Sequence, residues 1–98
     1  MIPELLATLD AFPELLLILD ADGGILASNR RFSHAVAAPP ESLIGRSIFE
    51  LLATPAERAR DYFRRCAGTR QPLPGVLVFR TSAGEVLDCQ CSGVELRQ

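Results

Sequence analysis

A chain of 98 residues with 48% hydrophobic side chains can bury one small core, with little to spare if an element is lost. Its net charge is −2 and its ten basic residues are all arginine, scattered along the chain, which excludes the electrostatic footprint of a nucleic-acid or anionic-membrane binder. No apolar run approaches the ~20 residues that cross a bilayer, and no basic leader precedes Pro3. Three cysteines (Cys66, Cys89, Cys91) without a disulfide-scaffold spacing point to a reducing compartment, so a cytoplasmic domain is expected.

Residues 3–12 (PELLATLDAF) place Leu5, Leu6, Leu9 and Phe12 on one face at helical spacing, with Pro3 suited to the first turn. This predicts an N-terminal amphipathic cap over residues 1–12. Its stripe must be buried against its own domain or against a second copy of the chain. Pro13 breaks the helix and opens a core domain over residues 13–98. Residues 15–19 are apolar at every position, which predicts a central strand covered on both faces. The cluster Asp20, Asp22, Gly23, Gly24 is tight-turn chemistry leading into a second strand at 25–27. Asn29 is a helix N-cap by type, since its side-chain oxygen can accept from an unpaired N–H of the first turn. The helix it opens runs to Ala37, with Phe32, Ala35 and Val36 inward and Arg30 and Arg31 outward; Pro39-Pro40 ends it.

Three helix signals follow. Residues 41–44 form a single turn with Gly45 as its left-handed cap, and Ser47 with Glu50 makes a capping box. Thr54 is the expected N-cap of a helix over 55–67, with Pro55 at its first position and Gly68 at its stop. Its inward stripe reads Ala56, Ala59, Phe63 and Cys66, leaving Arg58, Asp61 and Arg65 to solvent. After a Pro/Gly loop at 69–75 the pattern changes to period two: a buried strand at 76–79, a turn at 82–84 and a long return over 85–96. On that return Leu87, Cys89 and Cys91 share one face, directed at the helices, and Asp88, Gln90 and Ser92 share the other. The fold class is α+β, an antiparallel sheet with short helices packed on one face.

In this order the sequence resembles the PAS domain family of bacterial sensory proteins. LLLILDADGGILASNRRF is similar to the family's first two strands, with Asn29 at its frequent Asn position; SLIGRSIFELL is similar to its "liG-x-s-x-x-el" segment; VLVFRTSAGEVLDCQCSGVEL is similar to its third and fourth strands. The resemblance implies a five-stranded antiparallel sheet around a small cavity, in a module that signals to an output domain or pairs with a second copy. It does not name a ligand, because one scaffold hosts many cofactors and often none. The family's strands lie in the order second, first, fifth, fourth, third, and the sequence stops at Gln98 with no fifth strand. Two edges roughly 9–10 Å apart are therefore expected to face each other, filled by a segment of another chain or by a rearranged fourth strand.

The chemistry-bearing residues divide into sharp and plain readings. Cys89 and Cys91 with Cys66 can be a redox or metal site completed by His34, or small buried hydrophobes. The single histidine excludes Ser-His-Asp and multi-His metal sites, and Asp20, Asp22, Glu85 and Asp88 read as turn and hairpin acids. No catalytic set or phosphate loop remains, so no enzymatic activity is expected. By the resemblance, haem is disfavoured because the 55–67 helix has no His. Photoactive flavin is disfavoured because Arg30 stands where a reactive Cys is needed and no Trp is present. The cofactor is left unknown. The expected pocket is lined by Phe49, Leu52, Tyr62 and Phe63 from the helical segment and by Val78, Cys89 and Cys91 from the strands. Arg80 is its polar anchor, or a rim arginine at the strand end. The function implied is a sensory and interaction module of a sensor kinase or similar regulator, dimerising through the N-terminal helix or the open sheet edge. The alternatives are a Cys-based redox or metal sensor on the same fold and a structural dimerisation domain with a filled core.

Overall fold

A computed structural model describes residues 14–95, so the N-terminal cap expected over residues 1–12 lies outside the described residues. The element order is β1 (Leu17–Leu19), β2 (Ile25–Ser28), α1 (Arg30–Ala35), α2 (Pro40–Leu43), a 3-10 turn (Ile48–Glu50), α3 (Ala56–Ala67), β3 (Leu73–Arg80) and β4 (Val86–Gly93).

The first ladder pairs β1 with β2 antiparallel, with a bulge after Ile18 that leaves Leu26 unopposed. Asp20 closes the connection: its Oδ1 accepts from the N–H of Asp22 at 2.9 Å and of Gly24 at 2.8 Å, while Gly23 takes the left-handed conformation at φ +89°. Strand β1 is shorter than the apolar run suggests, and Leu17, Ile18 and Leu19 are only half-buried rather than covered on both faces. Leu16 drops out of the strand because it exchanges its backbone bonds with Asn29 instead, through Leu16 N–H to Asn29 Oδ1 at 3.0 Å and Asn29 N–H to the Leu16 carbonyl at 3.1 Å.

Asn29 caps α1 as its chemistry dictates, with Oδ1 accepting from the Phe32 N–H at 3.0 Å. The helix ends in Ala37 at φ +58°, a left-handed alanine. Residues 45–48 then dock on the edge of β2 and its turn: Ile25 N–H donates to Arg46, Gly45 N–H to Ile25, and Ile48 N–H to Gly23. The Ser47–Glu50 capping box forms in both directions.

The second ladder is a long antiparallel hairpin in which Leu73 pairs with Gly93 and Arg80 with Val86, without a slip. The far edge of β3 is taken by residues 51–53, through Ala53 N–H to Val78 and Arg80 N–H to Leu51, both 2.7 Å. Here one expectation fails. Thr54 does not cap α3, because its hydroxyl accepts from the Val78 N–H at 2.8 Å and so ties the helix start to β3; Pro55 is the capping residue, with no side-chain bond. The core beneath both ladders is built on Ile25, Phe32, Val36, Leu43 and Ile48, with the Phe32 and Phe79 rings edge-to-face at 5.2 Å.

The architecture is therefore α+β with antiparallel strands, divided into two two-stranded ladders. Among the described residues the ladders share no backbone hydrogen bond. Since β4 stays in full register with β3, a rearranged fourth strand does not fill the space between them.

Candidate functional site

Helix α3 crosses the inner face of the second ladder, and two glycines set how closely. A Cβ on Gly75 would lie 2.5 Å from the Tyr62 ring, and one on Gly93 would lie 2.5 Å from Cys66 Sγ. Glycine inside a strand marks such a close approach. It also explains why α3 buries Tyr62 together with Ala59 and Cys66 of the expected stripe, while Phe63 is half-buried and Ala56 exposed. Gly75, expected in a loop, is an interior strand residue opposite Cys91.

The polar centre of this face is the Tyr62 hydroxyl. It donates to the Leu73 carbonyl at 2.8 Å and accepts from the Cys91 thiol at 3.5 Å. Burial, reinforced by the neighbouring Cys91 and Cys66, pushes the phenol well above its ordinary pKa, so it is a fixed neutral donor. The Cys89 thiol is also pushed up, mainly by burial, with Cys91 and Asp88 adding to it. A raised thiol pKa lowers the thiolate fraction and with it the reactivity that a redox sensor needs. All three cysteines are free. Neighbouring same-face positions on a strand, about 6.6 Å apart, do not favour a disulfide between Cys89 and Cys91. His34 is exposed on α1, and among the described residues no group of three or more His, Cys, Asp or Glu side chains is arranged to hold a metal ion.

From Tyr62 an aromatic file leads across to the first ladder. The Tyr62 and Phe63 rings are 5.8 Å apart, Phe63 meets Phe49 edge-on at 5.9 Å, and the Phe49 ring abuts Gly23 in the β1–β2 turn, with the Arg60 guanidinium 4.7 Å over its other surface. Half-buried apolar side chains pack on the core from both ladders, Leu17 and Leu19 from β1 and Leu87, Cys89 and Cys91 from β4.

Of the residues expected to line a pocket, the structure brings together Phe49, Tyr62, Phe63 and Cys91 along this file, with Cys89 beside them on β4 and Leu52 buried in the core. It does not bring Val78 or Arg80 there. Strand alternation puts Leu77 and Phe79 inward with Leu87 and Cys89, so Val78 and Arg80 project from the opposite face. Spacing missed Gly93, Leu17 and Leu19; the glycine inside a period-two run was the available signal.

The chain matches the family model described as the PAS fold over residues 9–98, and it belongs to that family of signalling and sensory modules. It is similar to the solved PAS domain of an HTR-like protein from Haloarcula marismortui, with 23% identity, a TM-score of 0.75, and coverage of 89% of this chain and 72% of that one. It is also similar to the PAS domain, solved in complex with ethanol, of a LuxR-family transcriptional regulator from Burkholderia thailandensis. There the identity is 21%, the TM-score 0.69, and the coverage 93% of this chain and 81% of that one. At these identities the likeness bears on the fold. Comparison with curated proteins gave no match. No helix among the described residues is long and apolar enough to cross a membrane.

Proposed function

We propose that this PAS domain is the non-catalytic sensory and interaction module of a cytoplasmic signal-transduction protein of the sensor-kinase type. It works by dimerisation and by taking a small apolar ligand against the inner face described above. The observation that carries this reading is the set of half-buried apolar side chains that both ladders, Phe49 and Phe63 pack on the shared core, next to the fixed Tyr62 phenol. Pockets for small molecules share this composition, mostly apolar walls with few placed polar groups. The ethanol complex of the LuxR-family PAS domain supports a ligand of small size. In this reading the edges of β1 and β4 that have no strand partner among the described residues serve pairing, since an open edge is a template for another strand. By the family resemblance, haem and photoactive flavin are disfavoured as ligands: α3 has no histidine, and Arg30 follows the capping Asn29. Native mass spectrometry of the purified domain tests both halves at once. A dimer carrying a small adduct is expected, and a ligand-free monomer would overturn the proposal.

A further inference from the structure

Arg80 turns away from the inner face and lines a separate surface cleft of about 200 Å³ together with Arg46, Glu50, Thr81, Leu51 and Val36. Three parts of the chain meet there: the end of α1, the segment around the 3-10 turn, and the end of β3. The hairpin holds them in place, with the Ser82 N–H donating to the Val36 carbonyl at 2.9 Å and the Ser82 hydroxyl donating to the carbonyl of Ala37. Ala37 is the left-handed alanine, and backbone strain of this kind persists where surrounding structure fixes it, commonly at ligand clamps.

The charges in the cleft are unequal. Arg46 lies 3.6 Å from Glu50, whose carboxylate is in turn oriented by the Ser47 N–H of the capping box. Arg80 has no ion-pair partner among the described residues. Thr81 Oγ1 accepts from the Glu85 N–H, which leaves its own hydrogen to donate. Two guanidinium groups against one carboxylate leave a single positive charge beside the half-buried Ala38, the other apolar lining residues, Val36 and Leu51, being buried in the core. Guanidinium groups match carboxylates in a flat, paired geometry. The volume is below the roughly 300–1,000 Å³ of drug-sized sites.

From this geometry we infer that the cleft is a second ligand site, for a small aliphatic monocarboxylate held by Arg80 and Arg46 with its short alkyl tail against Ala38. It is separate from the apolar face and does not depend on that face holding a ligand. The test is an amide NMR titration with sodium butyrate at constant ionic strength. Saturable shifts are expected at Arg46, Thr81 and Ser82, with at least tenfold weaker binding in Arg80→Gln, a visible weakening in Arg46→Gln, and no binding of the neutral analogue butyramide. Arg80 is exposed, so the variant should keep the wild-type spectrum elsewhere. Equal binding of butyramide, unchanged affinity in Arg80→Gln, tighter binding of inorganic phosphate, or shifts confined to Leu87, Cys89 and Cys91 would each overturn the inference.

Discussion

Asn29 and Tyr62 each hold a ladder to the helix beside it, by opposite means. Asn29 is fully buried and uses both ends of its amide: Oδ1 accepts from Leu16 and Phe32, and Nδ2 donates to the Glu14 carbonyl at 2.6 Å. One side chain thus ties the incoming chain, β1 and α1 together, and the geometry leaves no room for a guest. Tyr62 closes the second ladder through one bond to Leu73 and a weak thiol contact, over glycines that let its ring approach the strands closely. Around it the apolar side chains are half-buried rather than sealed. The first region is fixed by polar satisfaction and the second mainly by shape, which is the condition under which an apolar ligand can compete for space.

Breaking the polar region should cost most. Asn29→Ala removes the cap and strands the Leu16 N–H and the Glu14 carbonyl, so a loss of about 3 kcal/mol or more is expected in urea denaturation. Asn29→Asp keeps the acceptor but sets a buried carboxylate oxygen against the Glu14 carbonyl, and should recover less than half of that at neutral pH. Overfilling the shape-determined region comes next. Gly75→Ala drives a methyl group into the Tyr62 ring and should cost about 2 kcal/mol, and the penalty should shrink when Tyr62→Ala is made in the same chain, a coupling that a double-mutant cycle reads directly. Tyr62→Phe deletes the bond to Leu73 and the weak Cys91 thiol contact and should cost only about 1 kcal/mol.

The smallest effect is a pH dependence confined to the second region. Cys89 ionises in the folded chain above its ordinary value of 9.0, and Tyr62 above 10.0. Below those values both groups are protonated in either state, and their contribution to stability is fully present. As the pH rises past them the unfolded chain ionises first and stability falls until the folded values are reached. Denaturation midpoints should therefore decline above pH 9, less steeply in Cys89→Ala, whereas the uncharged Asn29 network adds no such slope.

The same division decided what could be read from the sequence. The Asp20 turn, the Asn29 cap and the Ser47–Glu50 box are bonds between residues two to four positions apart, so residue type and spacing carry the whole instruction. The second ladder is long-range. Residues 76–79 are apolar at every position, so their period-two phase cannot be read locally. It is set by pairing Val78 with Asp88 and Phe79 with Leu87, and this is why Val78 and Arg80 belong to the other face. Likewise, α3 offers adjacent aromatic residues, and only the glycines on the partner strands select Tyr62 over Phe63 for burial. Thr54 had the right chemistry for a cap, yet a strand N–H from 24 positions away claimed its hydroxyl.

Leucine-methyl NMR of the domain during titration with 1-butanol tests most directly whether the half-buried face is receptive. Saturable shifts are expected for Leu17, Leu19 and Leu87, while the buried Leu43 and Leu51 stay unmoved. Shifts only at the exposed Leu15 and Leu26, or no saturation at any leucine, would contradict the ligand-binding face.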